Sequence, residues 1–370
     1  MKSALIHDWL NGMRGGEKVL EDVLELFPGS PVFTLFYEPD RVSEKIRTRK
    51  VVPSILQKFP GSHKNYRRLL PLYPWAVKRF DLSGCDLIFS ISHCAAKAIP
   101  KPSGAVHICY CLTPMRYIWD KFEDYFGKER CGAGVRSLMR LMRPGLQKWD
   151  VKTAENVDFF IATSSFIQER IKKYYGRESE IIHPPVNTNF FHPGNSGGKA
   201  KEREPYYLAV TALAPYKRMD IGIEAFRGRS EQLIIAGSGP EEEDLKKRAP
   251  ENVIFRGWVS DEELRELYRG CEALIFPPEE DFGLAPLEAA ACGRPSIAYG
   301  SGGALETVTE GVTGLFFEQQ SPASLSESLD RFRSHTFDPE KIRIHAEKFC
   351  RGNFLKQLRE YLKEKVDVGC

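Results

Sequence analysis

Short apolar runs alternate with longer amphipathic stretches along most of the 370-residue chain. Strands that alternate with helices in this way form βαβ units, in which the strands pair in parallel. In the first half the pattern predicts strands at 3–8, 31–36, 86–91, 106–111 and 158–163, and helices at 15–27, 116–126, 134–157 and 165–175. This half is therefore predicted to be a doubly wound α/β domain.

The alternation is interrupted after His183. The segment 187–204 contains Pro193-Gly194 and Gly197-Gly198 and has little periodicity, which is typical of a linker. A second series then predicts strands near 206–210, 232–236, 252–255, 272–276 and 296–299, and helices near 217–227, 240–248, 260–269, 284–292, 322–333, 338–349 and 352–365. We predict a first α/β domain at 1–185, a linker at 186–205, a second α/β domain at 206–350 and a terminal helical segment at 351–370. Ligands of such domains bind at the carboxyl ends of the strands.

The composition is that of a globular protein, with 42% hydrophobic and 28% charged residues, which argues against a disordered, fibrous or membrane-spanning chain. Nine cysteines without a CxxC pair favour a reduced protein whose cysteines are mostly buried. The amino-terminal segment has no signal-peptide pattern. We therefore expect a cytoplasmic location, with any membrane contact peripheral.

The net charge of +3 conceals an asymmetry between the two halves. Residues 1–190 carry 29 basic and 20 acidic side chains, a net of +9, whereas 191–370 carry 24 and 30, a net of −6. Within 41–80 there are eleven basic residues and one acidic residue, interleaved with aromatic residues and leucine. This combination favours contact with an anionic membrane surface. A solvated basic face is the plainer alternative, and nucleic acid is disfavoured because no recognition module accompanies the segment.

Three loops that follow predicted strands contain residues suited to binding an anion or a sugar. The first has Gly15-Gly16 just before a helix, where backbone N–H groups can approach an anion; a flexible turn that merely starts the helix is the alternative. In the second, Lys217 and Arg218 stand at the predicted start of a helix. Cations there oppose the helix dipole, at about 0.3–1 kcal/mol each, so a bound phosphate would explain them better than a solvated basic helix start.

The third loop runs from Glu280 into a helix that contains Glu288. Pro286 can begin this helix, and Gly283 and Leu284 would offer free backbone N–H groups at that helix end. Carboxylates at these positions suit the hydroxyl groups of a sugar or ribose. Helix capping could account for Glu280, but it does not account for Glu288, which has Leu287 and three alanines as neighbours.

Taken together, these segments resemble the retaining glycosyltransferases of family 4, which have the GT-B fold. Glu280 to Glu288 matches the E-x7-E motif, and Phe282 to Ala289 resembles the family's FG(L)xxxEA core. Further matching segments are Gly237-Ser238-Gly239-Pro240, Arg256-Gly257-Trp258-Val259, Ser301–Glu306 and Gly311–Leu315. In the first half, Gly15-Gly16-Glu17, Ser92-His93 and Cys109–Tyr117 resemble the mannosyltransferase branch that builds polysaccharides and O-antigens.

The resemblance implies two Rossmann-like domains that face a cleft, with an acceptor-side domain first, a nucleotide-sugar donor domain second, and a terminal helix that crosses back to the first. It implies that Lys217 stabilises the departing diphosphate, with Arg218 as a second cation, because Ala212 and Thr211 stand where the family usually has an arginine. Glu280 and His93 are expected near the transferred sugar and Glu288 near the ribose. Leu112 stands where this branch often has a histidine. The further residues expected to bind the donor are Gly15, Gly16, Gly237, Trp258, Val259, Phe282, Gly283, Leu284 and Ala285.

The expected activity is retaining transfer of a hexose, mannose above all, from GDP-mannose to a glycan or a lipid-pyrophosphate-linked acceptor. No Asp-x-Asp tripeptide occurs, so metal-independent chemistry is expected, and no cofactor is predicted. Same-face transfer and a covalent intermediate both remain open. A UDP-sugar donor and a protein that binds a nucleotide sugar without catalysis are the alternatives. A dinucleotide-dependent enzyme is disfavoured because no G-x-G-x-x-G follows the first strand.

Overall fold

The apolar runs form the strands of two parallel sheets, one in each half of the chain. A computed structural model describes residues 1–62, 66–128, 131–194 and 204–367. The chain divides into a first unit, Met1–His183 together with the segment from Phe354 onward, and a second unit, Pro184–Asn353. Part of the predicted linker, 195–203, lies outside the described residues, as do 368–370 of the terminal segment.

The strands are β1 (Ser3–His7), β2 (Val32–Thr34), β3 (Val51–Pro53), β4 (Leu87–Ser92), β5 (Val106–Cys111), β6 (Phe159–Ala162), β7 (Ser179–Ile181), β8 (Tyr206–Val210), β9 (Gln232–Ala236), β10 (Val253–Gly257), β11 (Leu274–Phe276), β12 (Ser296–Tyr299) and β13 (Gly314–Phe317). The α-helices are α1 (Gly15–Val23), α2 (Glu44–Arg47), α3 (Tyr73–Val77), α4 (Phe122–Phe126), α5 (Ala133–Ala154), α6 (Ser165–Tyr175), α7 (Met219–Ala225), α8 (Glu242–Arg248), α9 (Asp261–Gly270), α10 (Leu284–Ala291), α11 (Ala304–Thr307), α12 (Pro322–Arg333), α13 (Pro339–Glu347) and α14 (Arg351–Asp367).

The sheet of the first unit has the order β3-β2-β1-β4-β5-β6-β7, with every pair parallel. The chain builds outward from β1 in one direction as far as β3, and then returns to the other side of β1 with β4. The two connections beside β1 and β4 therefore leave toward opposite faces of the sheet, which opens a crevice at the carboxyl ends of these strands.

The second unit repeats this plan with the order β10-β9-β8-β11-β12-β13. All of its pairs are parallel. Its crevice lies where β8 is paired with β11. The expected α/β class with two doubly wound, Rossmann-like sheets is confirmed.

Helices cover these sheets because the strands are apolar on both faces. In β4 every residue is buried, and Ile88 and Phe89 contribute to different core clusters on the two sides. The terminal helix α14 buries Phe354, Leu358 and Tyr361 in the cluster that contains Phe89. It therefore completes the core of the first unit, and the Phe354 ring lies 6.0 Å from that of Tyr110.

The short strands β3, β7 and β13 are absent from the sequence prediction. The predicted helix at 116–126 is wrong in its first half, because only α4, over Phe122–Phe126, is helical. The physical reason is tertiary, since Arg143 and Gln147 donate to the carbonyl of Ile118, and Arg143 also donates to that of Trp119. These donors from α5 hold the carbonyls of 118 and 119 in a non-helical turn. No helix among the described residues is long and apolar enough to cross a membrane.

A buried ion pair links the β4 side of the first unit to α5. Lys97 is 2% exposed and its Nζ lies 2.8 Å from Oδ1 of Asp150, which is fully buried. The ammonium also donates to the carbonyl of Asp150 and to Thr153 Oγ1. Oδ2 of Asp150 accepts from the Trp119 indole and the Tyr175 hydroxyl. A charge taken out of water remains stable only with such a complete set of partners.

We expect Lys97→Met to lower the free energy of unfolding by about 3–5 kcal/mol, because it leaves the Asp150 carboxylate buried without a counter-charge. Urea denaturation checks this. The matched control is Lys101→Met, which removes a partly exposed lysine 2.6 Å from Asp158 and is expected to cost no more than about 1 kcal/mol. Equal losses in the two variants would contradict the prediction.

Candidate functional site

The crevice of the second unit brings together two of the predicted residues. Lys217 lies in a short 3-10 turn after β8, and Glu280 lies in the loop after β11. Their strands are neighbours in the sheet, so both loops emerge at the same edge. Nζ of Lys217 and Oε1 of Glu280 form an ion pair, and both side chains keep some exposure, 19% and 15%. A cation and a carboxylate are thus presented together at the place where ligands of this fold bind.

Arg218 is placed next to Lys217, but its guanidinium is directed to other partners. It bonds the carboxylate of Asp220 and donates to Oε1 of Gln320 at 3.0 Å. Its backbone is in the left-handed region, at φ +52°, and helix α7 begins only at Met219. Both cations thus lie at the start of the helix as predicted, with Arg218 as its N-cap, but the helix begins at Met219 and not at 217 because Pro215 starts a separate short turn before it.

The Glu280 loop is held by close backbone contact with the turn at Gly302-Gly303. Gly303 N–H donates to the Glu280 carbonyl, and a β-carbon at Gly303 would stand 2.2 Å from the Cα of Phe282. Neighbouring Glu279 accepts from the Ser301 hydroxyl at 2.8 Å. The two glycines that resemble the family's GG tail therefore allow the Glu280 loop to lie where it does.

Gly237 has a similar role at the end of β9. Its φ is +133°, and a β-carbon there would stand 1.9 Å from the carbonyl oxygen of Thr211. At Gly239 a β-carbon would stand 2.4 Å from the Leu213 carbonyl oxygen. The loop 211–213, which leads from β8 to Lys217, is thus packed directly on these two glycines.

The helix α10 starts beside Glu280. Gly283 is its N-cap with φ +92°, Phe282 is buried beneath the loop, and Leu284 and Ala285 in the first turn are half-buried. Glu288 lies one turn further on, where its Oε2 accepts from the Tyr268 hydroxyl at 2.8 Å. Burial, and then the charge of Glu288, raise the pKa of Tyr268 well above its ordinary value, so this hydroxyl remains a donor to the carboxylate.

Trp258 and Val259 follow β10, two strands away from β8. The Trp258 side chain is 80% exposed, whereas Val259 is half-buried against the core. An exposed indole at the ligand edge of a sheet offers a flat apolar face for an aromatic ring. Trp258 lies at the same edge of the sheet as Lys217 and Glu280. Among the described contacts, no hydrogen bond joins Trp258 to either residue.

In the first unit the crevice holds His93, which follows β4, and Asp8, which follows β1. The Asp8 carboxylate is fully buried and accepts from the backbone N–H groups of the four residues 93–96, at 2.5–2.9 Å. His93 Nδ1 lies 3.1 Å from Asp8 Oδ2, and its ring meets the ring of Trp9 edge-on at 4.4 Å. Burial lowers the pKa of His93 to about 4 despite the charge of Asp8, so the imidazole is neutral at neutral pH.

Gly15 and Gly16 begin α1 at the same edge. A β-carbon at Gly16 would stand 2.8 Å from Leu112 and 3.2 Å from the His7 ring. His7 Nε2 lies 3.8 Å from Glu17 Oε1, and both side chains are buried. The structure therefore assigns Gly16 a packing role beside any role in binding an anion.

Sequence reasoning assigned no role to Asp8, Trp9 or His7, which surround His93 and Gly16. A signal was present, because polar residues directly after an apolar strand are expected at the ligand edge. What could not be read was that β1 and β4 are neighbours, since they lie about eighty residues apart. Among the described residues, no group of three or more His, Cys, Asp or Glu side chains could hold a metal ion.

Comparison with known proteins adds to this geometry. Residues 196–349 match the model of the family described as "Glycosyl transferases group 1". The chain is 34% identical over 218 residues to a GDP-mannose-dependent alpha-mannosyltransferase of Corynebacterium glutamicum, covering 54% of this chain and 52% of that protein. It is 28% identical over 194 residues to a glycogen synthase of Pseudomonas syringae, covering 50% and 37%. The chain thus spans about half the length, or less, of these two relatives.

The solved structures match over nearly the whole chain. Anabaena Alr3699/HepE in complex with UDP has a TM-score of 0.71 and 17% identity, covering 98% of this chain and 100% of that chain. At that identity the likeness shows the fold alone. The two Rossmann-like units therefore have the architecture of GT-B proteins, and the second unit contains the segment that matches the group 1 glycosyltransferases.

We expect Gly237→Ala to destabilise the protein more than Gly228→Ala. Both glycines have positive φ, which costs an alanine about 1–2 kcal/mol at Gly228, in the left-handed region, and at least as much at Gly237, whose φ of +133° lies beyond that region. Only at Gly237 does the new β-carbon also meet a backbone oxygen, and such overpacking adds about 1–3 kcal/mol; no atom lies within 4 Å at Gly228. Urea denaturation measures the difference, and equal losses would show that the contact with Thr211 is not the constraint.

Proposed function

We propose that this protein is a retaining glycosyltransferase that moves a hexose from a nucleotide sugar to a glycan or lipid-linked acceptor. The observation that carries the proposal is the Lys217–Glu280 pair at the crevice between β8 and β11. A diphosphate needs a cation and a sugar needs hydrogen-bond acceptors, and this pair supplies both at one point. The match of residues 196–349 to the group 1 glycosyltransferases supports the proposal.

In this proposal Lys217 binds the diphosphate of the donor and stabilises the negative charge that grows as it leaves. The first N–H groups of α10, at Gly283, Leu284 and Ala285, point from the positive end of a helix and add to that stabilisation. Arg218 supplies a second cation. Its pair with Asp220 is partly exposed, and because such pairs are worth at most about 1 kcal/mol, a phosphate can replace Asp220 at little cost.

Glu280 then accepts from hydroxyl groups of the donor sugar, and Glu288 accepts from the ribose. Both are acceptors when ionised, as Glu280 already shows toward Lys217 and Glu288 toward Tyr268. Trp258 and Val259 border the base. GDP-mannose is the donor that we favour, in line with the resemblance of the sequence to mannosyltransferases and with the GDP-mannose dependence of the Corynebacterium relative. A UDP-sugar is the alternative, and the Anabaena neighbour was solved with UDP.

The reaction proposed is transfer on one face of the sugar. The acceptor oxygen bonds to the anomeric carbon while the bond from that carbon to the phosphate oxygen breaks, and the acceptor proton passes to the departing phosphate. Lys217 and the start of α10 meet the developing charge, so the proposal needs no metal ion. His93, neutral and held between Asp8 and Trp9, offers a polar contact to the sugar without repelling a cationic transition state. A covalent intermediate is the alternative path.

The acceptor is proposed to reach the first unit from an anionic membrane surface, which gives a cytoplasmic protein peripheral to the inner face of the membrane. Within 41–80 several large apolar side chains are exposed, namely Ile55, Phe59, Leu72 and Trp75. Arg79 stacks over the Trp75 ring at 4.0 Å, which places a cation beside an apolar group. This pairing suits the boundary between lipid head groups and acyl chains.

We expect Lys217→Ala and Glu280→Ala each to lower kcat/KM for donor turnover by about 10²–10³-fold, the usual effect of removing one stabilising group from such a site. Release of GDP from GDP-mannose, or of UDP from UDP-glucose, measures this. The matched control is Arg227→Ala, which removes a cation from an exposed ion pair of the same unit and should leave turnover unchanged.

Activity that survives both changes would contradict the assigned site. A thermal-shift panel of GDP-, UDP-, ADP- and dTDP-sugars identifies the base, because a ligand that binds only the folded state raises Tm. Donor binding without turnover would instead favour a protein that binds a nucleotide sugar without catalysis. The absence of an arginine at 211–212 supports that alternative.

We expect Lys78→Gln/Arg79→Gln to weaken binding to phosphatidylglycerol vesicles by about 10–30-fold, since each cation near an anionic surface is worth about 1 kcal/mol. Cosedimentation measures this. Lys246→Gln/Lys247→Gln on α8 is the matched control, because it removes the same charge from the second unit. If the wild-type protein does not cosediment with these vesicles, the membrane proposal is contradicted.

A further inference from the structure

A cavity in the first unit lies directly behind the residues of its crevice. It has a volume of about 190 Å³ and is lined chiefly by aromatic and aliphatic side chains. The residues that line it are Trp9, Arg67, Arg68, Leu70, Tyr73, Cys94, Tyr117, Tyr125, Phe126, Cys131, Gly132 and Val135. Trp9 forms one wall, and its ring also meets the His93 ring edge-on at 4.4 Å. The cavity therefore adjoins the crevice of the first unit, beside His93.

Most of the lining surface is apolar, and two of its polar groups already have partners within the protein. The Tyr73 hydroxyl donates to the Tyr66 carbonyl, and Cys131 Sγ contacts the Phe126 carbonyl. A sugar would need several convergent hydrogen-bond partners, whereas a hydrocarbon chain needs none. The lining thus favours an apolar guest over a sugar.

The charge in the lining is positive. Arg67 and Arg68 are both exposed, and Arg67 lies over the Tyr66 ring at 5.0 Å. Two arginines that border an apolar cavity complement a phosphate attached to an apolar chain.

An exposed apolar band leads away from the cavity along α5. Val135, which lines the cavity, is 42% exposed, and Leu138 and Leu141 follow at three-residue intervals with 53% and 79% exposure. Residues three apart lie on one side of a helix. The band therefore continues the cavity wall onto the surface, as a route for a chain that enters from a lipid bilayer.

We propose that this cavity binds the hydrocarbon chain of a lipid phosphate, with Arg67 and Arg68 on its phosphate groups. The inference rests on the proposed function in that it takes this lipid to be the carrier of the acceptor. The inference goes beyond the proposed function because it assigns the lipid carrier to a cavity behind Trp9 and not to the membrane surface alone.

The test is calorimetric titration of the full chain with farnesyl diphosphate, a soluble probe with both a chain and a diphosphate. Gly132→Trp fills the cavity without backbone strain, because Gly132 has φ −60° and open space at its β-carbon. We expect it to weaken binding at least about tenfold. Gly134→Trp is the matched control, since its β-carbon also meets open space but it does not line the cavity, and it should bind like wild type.

Two further arms separate the chain from its head group. Arg67→Gln/Arg68→Gln should weaken farnesyl diphosphate about tenfold or more and leave farnesol unaffected. Inorganic pyrophosphate that binds as tightly as farnesyl diphosphate would overturn the proposal, as would full affinity in Gly132→Trp. No nucleotide sugar is present in these titrations. If farnesyl diphosphate does not bind as expected but Lys217→Ala still loses turnover, only the cavity proposal is contradicted. If farnesyl diphosphate binds as expected but Lys217→Ala keeps its turnover, only the proposed transfer is contradicted.

Discussion

Parallel pairing of the first strand of each sheet with the fourth is the constraint on which both candidate half-sites depend. In the first unit β1 pairs with β4, and in the second β8 pairs with β11. Each pairing sets side by side two loops that lie far apart in the chain, and the connections beside it diverge to opposite faces. The Asp8 contact with His93 and the Lys217–Glu280 pair are both direct consequences of this arrangement.

The charged side chains of the two crevices differ in their partners and in their exposure. Asp8 is fully buried and its charge is met by four backbone N–H groups, so it organises the turn that presents His93. Lys217 and Glu280 satisfy each other and remain partly exposed, so a ligand can reach both. The first arrangement is suited to positioning a neighbouring group, and the second to exchanging its partners for those of a substrate.

Glycines contribute as much to the second crevice as the charged residues do. Gly237, Gly239, Gly302 and Gly303 each stand where a β-carbon would meet backbone atoms of the loops that carry Lys217 and Glu280. The glycine motifs are therefore required for packing of the two loops, and they are also candidates for contact with a donor. The overall charge of the second half, −6, gives no hint of a candidate anion site, because net charge does not record where a few cations and N–H groups are placed.

The sequence by itself determined the alternation of strands and helices, and with it the α/β class, because apolar periodicity is a local property. A motif resemblance also predicted Lys217, Glu280 and Glu288 at one site, and the structure pairs Lys217 with Glu280. Only the tertiary structure decided that Arg218 bonds Asp220, that 116–121 is not helical, and that Asp8 and Trp9 surround His93. These outcomes depend on contacts between distant segments, and no local pattern records which carbonyl or carboxylate a remote side chain will reach.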